Sequence, residues 1–155
     1  MLHYLMMARK TKFKIIIHNA NGIYDDRLCI HELLHRFDVD IALISETKVP
    51  PWFQWRTPGY RIYNTLGPNP KFGGTAVVVK STIQHAQINL PVLNSLQATA
   101  IKFELDGLET VIGALYLSPC KPFDAEDFDK LTRLSVSKRF ILGGDLNCKH
   151  TDWNT

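Results

Sequence analysis

The 155 residues, of which 45% are hydrophobic and 21% charged, predict one globular domain with enough apolar content to bury a core. Three widely spaced cysteines without a Cys-x-x-Cys pair exclude a disulfide scaffold and favour a reducing compartment. No apolar run approaches the roughly 20 residues that span a bilayer, and the opening apolar run is too short for a secretory leader. We therefore predict a protein of the nucleus or the cytoplasm that is not secreted and has no membrane partner.

The net charge of +3 comes from one cluster near the start of the chain. Its four basic residues, all before the first acidic residue, are Arg9, Lys10, Lys12 and Lys14. The rest of the chain carries 14 basic and 15 acidic side chains. Residues 1–11 are thus predicted to be an irregular basic N-terminus that weakly indicates contact with nucleic acid, with a solvated start as the alternative. The domain itself is predicted over residues 12–155.

The first elements in chain order are a strand, a helix and a second strand. Residues 13–17 are mostly apolar and β-branched, which predicts a strand that runs into a polar loop. Residues 25–37 carry leucines at helical spacing, with Asp25 or Asp26 as the predicted N-cap. Residues 41–44 predict the next strand. A strand–helix–strand unit of this kind predicts that the two strands are parallel neighbours.

Residues 50–74 differ in character, because prolines and glycines interrupt aromatic stretches and predict loops and turns. The strands predicted after this region cover residues 75–79, 83–90, 97–105 and 110–117. Asp106-Gly107 predicts a hairpin between the last two, with a loop slightly longer than the minimal turn. A helix over residues 124–135 and a strand over residues 139–142 complete the pattern, which indicates an α/β or α+β layered sandwich.

Polar side chains follow three of the predicted strands. Asn19 and Asn21 follow the first, Glu46 follows the second, and Asp145 and Asn147 follow the last. Any one acid here is more typical of a turn, but strand ends on one edge of a sheet are where layered folds assemble a site. Carboxylate and amide oxygens suit Mg²⁺ or Mn²⁺, and the sequence has no Cys/His cluster that would favour zinc.

The last of these strand ends also suggests a geometry. Asp145 and Asn147 are two residues apart, so an extended backbone would direct both side chains to one face, where one orients a water and the other contacts a phosphate. Gly143-Gly144 before them indicates either a close approach of backbone or substrate, or simply a turn.

Four motifs occur in a recognisable order along the chain. They are His18-Asn19-Ala20-Asn21-Gly22-Ile23, Ile44-Ser45-Glu46-Thr47-Lys48, Tyr116-Leu117-Ser118-Pro119 and Gly143-Gly144-Asp145-Leu146-Asn147-Cys148-Lys149-His150-Thr151-Asp152-Trp153. From about residue 12 onward the chain resembles the endonuclease/exonuclease/phosphatase superfamily, and within it the apurinic-type endonuclease domain of jockey-like non-LTR retrotransposons. The resemblance implies a deoxyribonuclease-like α+β fold, a four-layer α-β-β-α sandwich with the active site at strand ends on one edge.

The resemblance also implies roles for individual residues. Glu46 matches a metal-binding glutamate, and Asn19 matches the asparagine beside it that helps to hold metal and phosphate. Tyr116 matches a tyrosine that contacts the scissile phosphate. Asp145 matches the aspartate that orients or deprotonates the attacking water, and Asn147 matches its phosphate-contacting partner. Asn21, in the same motif as Asn19, is the candidate substrate-binding residue.

The function implied in this way is phosphodiester hydrolysis that nicks DNA and depends on Mg²⁺ or Mn²⁺. The implied setting is a retrotransposon polyprotein, with its reverse transcriptase domain as a partner. Members of the superfamily also carry a later Ser-Asp-His motif, which this sequence lacks. We therefore expect a domain that is incomplete at its C-terminus and has weak or no activity. His150 matches a different family position and is interpreted as structural.

Two other functions remain open. A non-catalytic remnant would bind nucleic acid through the basic N-terminus and through Trp52-Phe53-Gln54-Trp55-Arg56, whose rings would stack on bases. The alternative for that stretch is that its aromatic rings pack a loop onto the core. A phosphatase acting on lipid or small-molecule phosphoesters is the third possibility, and the last of the four motifs disfavours it.

Overall fold

The computed structural model describes residues 12–69, 71–135 and 139–148, and within these ranges eight strands form two sheets of four. The first sheet contains, in spatial order, β1 (Ile15–Asn19), β2 (Ile41–Ser45), β4 (Thr75–Lys80) and β3 (Tyr60–Thr65). The second sheet contains, in spatial order, β5 (His85–Gln87), β6 (Leu96–Leu105), β7 (Leu108–Leu117) and β8 (Arg139–Asp145).

Two helices cover the outer faces of the sheets, so that the molecule has four layers. Helix α1 (Ile23–Arg36) buries Ile30 and Leu34 against the outer face of the first sheet. Helix α2 (Ala125–Thr132), which a 3₁₀ turn over Arg133–Ser135 extends, buries Leu131 against the second sheet. Between the sheets, the buried side chains are Ile41, Leu43, Val77, Val79, Ile101, Phe103, Ile112 and Ala114. This is the predicted α-β-β-α sandwich.

The strand directions follow from the connections. β1 and β2 are parallel, as predicted, and α1 connects them. β7 and β8 are also parallel, with Tyr116 opposite Asp145, whereas the other neighbouring strands are antiparallel. Because parallel strands end at the same edge, β1 and β2 finish side by side, and the last residues of β7 and β8 do so in the other sheet.

Helix α1 begins earlier than predicted, and its cap is different. Gly22 takes the N-cap position with a φ of 120° and no side-chain cap, so the expectation that Asp25 or Asp26 caps the helix is wrong. Both aspartates lie in the first turn instead, where their negative charge interacts favourably with the helix dipole. In α2, by contrast, Oδ1 of Asp124 accepts the N–H of Glu126 at 2.9 Å and caps the helix at the predicted start.

Most strand boundaries shift by one or two residues from the predictions, as in β1, which was predicted over residues 13–17, and the larger differences lie elsewhere. β3 lies inside the region assigned to loops, because the aromatic and β-branched residues between Pro58-Gly59 and Gly67-Pro68 suffice for one strand. β5 is shorter than predicted, since Ile83 still belongs to the turn after β4 and donates to the carbonyl of Lys80. β8 runs three residues further, through Asp145. The β6–β7 hairpin has the minimal loop, Asp106-Gly107, with Leu105 paired to Leu108 and both loop residues at positive φ.

The basic cluster near the start is described only in part. Residues 1–11, with Arg9 and Lys10, and also His150 lie outside the described residues. Nζ of Lys14 donates to the carbonyl oxygen of Phe37 at 3.1 Å, at the N-terminal end of β1. No helix in the described parts of the chain is both long and apolar enough to span a membrane.

Candidate active site

The C-terminal ends of β1, β2 and β8 meet at one edge of the two sheets. β1 ends at Asn19, Glu46 directly follows β2, and β8 ends at Asp145. Nδ2 of Asn19 donates to Oδ2 of Asp145 at 2.7 Å and to Oε1 of Glu46 at 3.1 Å. One carboxamide therefore connects two carboxylates that lie 99 positions apart in the chain, at positions 46 and 145.

The orientation of the Asn19 amide is fixed by its other end. Oδ1 of Asn19 accepts the backbone N–H of Asn21 at 3.0 Å. A backbone N–H only donates, so the atom that faces it is the oxygen and the atom that faces the two carboxylates is the NH₂ group. Asn19 thus holds Glu46 and Asp145 together through its nitrogen and presents its oxygen to Asn21.

Gly143 brings the second sheet close to the first just before the site. It is buried within β8, and a Cβ atom there would lie 2.5 Å from Cδ1 of Ile17 and 3.0 Å from Cδ1 of Leu43. Gly143 therefore allows the backbone of β8 to approach the facing sheet closely. Because it lies inside a strand, the alternative interpretation of this glycine as a turn residue is wrong.

The segment after β8 turns sharply at Asn147. This residue has a φ of 46°, in the left-handed region, so the expectation of an extended backbone from Asp145 to Asn147 is wrong. The Asn147 N–H donates to Oδ1 of Asp145 at 2.9 Å, and its Nδ2 donates to the carbonyl of Leu117 at 3.0 Å. The turn fixes the Asp145 carboxylate from its own backbone, a conformation that asparagine tolerates better than most residues.

The loop after β2 holds Glu46 with backbone hydrogen bonds on two sides. Glu46 and Lys48 both have positive φ values, 50° and 46°. On one side the Glu46 carbonyl accepts the N–H of Gly22 at 2.9 Å. On the other side the N–H groups of Thr47 and Lys48 donate to the carbonyls of Gly74 and Gly73. The loop is thus fixed between the start of α1 and the start of β4.

Gln97 is a positioning residue that the sequence analysis missed. Its Oε1 accepts the N–H of Gly74 at 2.5 Å, so a side chain from the second sheet holds the segment that supports Thr47 and Lys48. Gly74 has a φ of 87°, and a Cβ atom there would collide with Oγ1 of Thr47, which explains the need for glycine. No local sequence signal reveals Gln97, because the residue that it holds, Gly74, lies 23 positions earlier in the chain, just before β4.

Lys48 is the second residue that was missed. Its Nζ lies 3.0 Å from Oε2 of Glu46 and also donates to Oδ1 of Asn21. The ammonium group therefore ties the predicted substrate-binding residue to the predicted metal ligand. A signal was available, because a cation two residues after Glu46 in the Glu46-Thr47-Lys48 motif is a direct source of positive charge at the site.

Tyr116 lies opposite Asp145 in the β7–β8 register and is buried. Burial raises the pKa of its phenol above the ordinary value, and the negative charges of Glu46 and Asp145 raise it further. The phenol therefore stays protonated at neutral pH and is able to donate a hydrogen bond at this edge.

The donors at this edge are oxygen atoms. No group of three or more His, Cys, Asp or Glu side chains that could hold a metal occurs in the described ranges. What the site offers is two carboxylates with carboxamides beside them, a donor set that suits a hard divalent cation such as Mg²⁺ or Mn²⁺. The described residues give one donor to each of the four carboxylate oxygens, so each oxygen has a further lone pair for a ligand.

Comparison with known proteins places this geometry in context. Residues 16–155 match the model of the Endonuclease/Exonuclease/phosphatase family. The chain is 28% identical over 141 residues to "RNA-directed DNA polymerase from mobile element jockey" of Drosophila melanogaster, which covers 90% of this chain and 15% of that protein. It is 29% identical over 143 residues to "Probable RNA-directed DNA polymerase from transposon BS" of the same species, with 90% and 16% covered.

Solved structures share the fold. The endonuclease domain of TRAS1, a telomere-specific non-LTR retrotransposon, superposes with a TM-score of 0.64 at 22% identity over 92% of this chain and 62% of that one. AP endonuclease LMAP from Leishmania major gives a TM-score of 0.71 at 15% identity over 92% of this chain and 57% of that one. The chain thus spans less than two thirds of each of these structures and a small part of the two Drosophila proteins.

Proposed function

This chain belongs to the endonuclease/exonuclease/phosphatase family, and from that premise we propose that its candidate active site hydrolyses phosphodiester bonds in DNA with a bound Mg²⁺ or Mn²⁺ ion. Nucleases of this family are generally dependent on a divalent metal ion. The observation that carries the proposal is the contact of one carboxamide, Asn19, with both Glu46 and Asp145. Two acids held at hydrogen-bond distance from one nitrogen repel each other, and a cation between or beside them relieves that repulsion.

Glu46 and Asp145 are the residues that would hold the metal ion, with Asn19 beside them. When bound, a divalent ion neutralises charge on the phosphate and lowers the pKa of a coordinated water. Glu46 suits this function because its carboxylate is partly exposed and has only Lys48 and Asn19 as described donors. Direct ligation by Asn19 would use its Oδ1, which at present accepts from Asn21.

Asp145 would hold the ion with one carboxylate oxygen, and with the other it would orient the attacking water and accept its proton. Its Oδ1 and Oδ2 each accept one hydrogen bond, from the Asn147 N–H and from Asn19, so the carboxylate has a fixed direction and free lone pairs. Tyr116 would donate a hydrogen bond from its phenol to an oxygen of the scissile phosphate. One amide hydrogen of Asn147 forms a hydrogen bond to the Leu117 carbonyl, and the second would form a hydrogen bond to the phosphate.

Lys48 and Asn21 would contact the phosphate on the other side of the site. The Lys48 ammonium supplies positive charge and is already close to Glu46 and Asn21. As the transition state develops, donors that are already in position stabilise its charge without reorganisation.

The biological setting proposed is that of a retrotransposon. Both Drosophila relatives are described as RNA-directed DNA polymerases. We infer that this domain nicks target DNA, that it is located in the nucleus or the cytoplasm, and that it works together with a reverse transcriptase domain. For the 155-residue polypeptide assayed by itself we expect weak cleavage, because a histidine of the Ser-Asp-His type is missing from its sequence.

The test is the nicking of supercoiled plasmid at high protein concentration. We expect slow conversion to the open circle with Mg²⁺ or Mn²⁺, none with a chelator, and none for Glu46→Gln or Asp145→Asn. Glu32→Gln makes the same chemical change on the exposed surface of α1 and should behave as wild type. Equal nicking by wild type and both site variants would refute the proposal and favour a non-catalytic DNA-binding protein. Hydrolysis of a soluble phosphomonoester without DNA nicking would favour the phosphatase.

A further inference from the structure

Three aromatic rings form a cluster beside the candidate active site. Tyr24 in the first turn of α1 contacts Trp52 and Phe53, with ring centroids 5.9 Å and 5.2 Å away, and all three pairs meet edge to face. The guanidinium of Arg27 lies over the Tyr24 ring, 4.7 Å from its centroid. We call these four side chains the aromatic platform.

The rings of the platform differ in burial. Phe53 packs against the core under α1, as does Trp55. Trp52 is 72% exposed and Tyr24 is 45% exposed. Phe53 and Trp55 therefore anchor this loop to the core, as the alternative interpretation predicted. Trp52 stays exposed to solvent and is held in place by its two aromatic neighbours, Tyr24 and Phe53.

The platform is attached to the same loops that carry the candidate site. Trp52 lies four residues after Lys48 in the loop that follows β2. Tyr24 directly follows Ile23, whose N–H donates to the Thr47 carbonyl at 2.8 Å, and Gly22 donates to Glu46. A polymer bound at Glu46 and Asp145 would therefore reach the platform within a short distance.

The size and the chemistry of the aromatic platform fit a nucleobase better than a protein partner. Fully covered aromatic side chains bury about 150–250 Å² each, so the exposed parts of Tyr24 and Trp52 offer roughly 300 Å² at most, against about 800 Å² for one side of an ordinary protein interface. A nucleobase matches a single indole face. Arg27 supplies positive charge; of the neighbouring acids, Asp25 is exposed and Asp26 is paired with His18 at 2.8 Å.

We propose that an unpaired DNA base near the scissile phosphate stacks on Trp52, with Tyr24 and Arg27 holding the indole in place. This inference rests on the proposed function for the identity of the polymer. Stacking is tolerant of base identity, because every base has a π face. It requires that the base is free of its partner, so the platform selects single-stranded or locally unpaired DNA over intact duplex.

The test measures the anisotropy of a fluorescein-labelled single strand and of the matching duplex, in the presence of a chelator to prevent cleavage. We expect Trp52→Ala to bind the single strand about fivefold to a hundredfold more weakly, with little change for the duplex. Trp52→Phe should restore most of the affinity. Phe123→Ala, which removes an exposed ring beside α2 on the opposite outer layer, is the matched control and should bind as wild type.

Unchanged binding by Trp52→Ala, or an equal loss on single strand and duplex, would overturn the inference. So would a change of oligomeric state in Trp52→Ala without a change in DNA binding, since it would indicate a contact with another protein. Glu46→Gln separates this inference from the proposed function, because it should abolish nicking and retain Trp52-dependent binding of the single strand.

Discussion

Asp127 and the pair Glu46 and Asp145 differ in how far their carboxylate oxygens are satisfied by hydrogen bonds. Asp127 of α2 is buried, and it accepts hydrogen bonds from the backbone N–H groups of Asn94, Ser95 and Leu96 and from the Ser95 hydroxyl. Glu46 and Asp145 are partly exposed, and each of their oxygens accepts one hydrogen bond from the described residues. The saturated carboxylate fixes the fold, whereas the unsaturated pair retains lone pairs for a ligand.

The pKa values follow the same division. Burial alone would raise the pKa of Asp127, but the three backbone N–H groups and the Ser95 hydroxyl that donate to it lower the pKa to about 2. A carboxylate that accepts four hydrogen bonds, as Asp127 does, would gain little stabilisation from a metal ion. A pair that shares one amide hydrogen-bond donor has much more to gain, and this is the physical difference between a structural acid and a candidate catalytic one.

The largest expected effect is on stability. Asp127→Ala leaves three buried N–H groups and a hydroxyl without their acceptor, and we expect a loss of about 3 kcal/mol or more in the free energy of unfolding. Asp145→Asn and Glu46→Gln should be neutral or slightly stabilising, because each relieves repulsion between two acids. Urea unfolding followed by circular dichroism measures all three. Similar losses for all three variants would erase the distinction between the two groups.

A second effect is the pH dependence of stability. The pKa of Asp127 is about 2 in the folded chain and near 3.8 when unperturbed, so the unfolded state takes up the proton first as the pH falls. The stabilisation of about 2 kcal/mol is therefore complete above about pH 4 and is lost as the pH falls towards about 2. Urea midpoints across this range should fall more steeply for wild type than for Asp127→Asn. Parallel slopes would argue that the carboxylate is not ionised and saturated in the fold.

A third effect concerns the support of Glu46. Gly74→Ala introduces a side chain at a φ of 87° and against Thr47, so we expect a loss of about 1–2 kcal/mol and severalfold weaker Mn²⁺ binding. Gly59→Ala is the matched control, because Gly59 has a φ of 78° and only one atom, Cε1 of His35, 4.0 Å from the added Cβ. Gly59→Ala should lower the free energy of unfolding and leave the affinity for Mn²⁺ unchanged. If both variants bind Mn²⁺ equally well, the Gly74 segment does not position Glu46.

The sequence predicted the layered fold and the meeting of three polar residues at one sheet edge for a simple reason. Asn19, Glu46 and Asp145 come at the ends of apolar runs, and this local pattern is enough to place them at strand ends. The left-handed turn at Asn147 and the strand β3 were missed because short local patterns there are equally compatible with other conformations. Gln97 and Asp127 were missed because their partners lie 23 and 32 positions away and become neighbours only when the chain folds.

The most direct test of the central claim is a titration with Mn²⁺, followed by electron paramagnetic resonance of the free ion. We expect one Mn²⁺ per wild-type chain, at least about tenfold weaker binding for Glu46→Gln and for Asp145→Asn, and unchanged binding for Asp127→Asn under conditions in which it is folded. Competition by Mg²⁺ should release the bound Mn²⁺. Wild-type affinity in both site variants, or binding lost in Asp127→Asn alone, would contradict the assignment of Glu46 and Asp145 as the metal-binding pair.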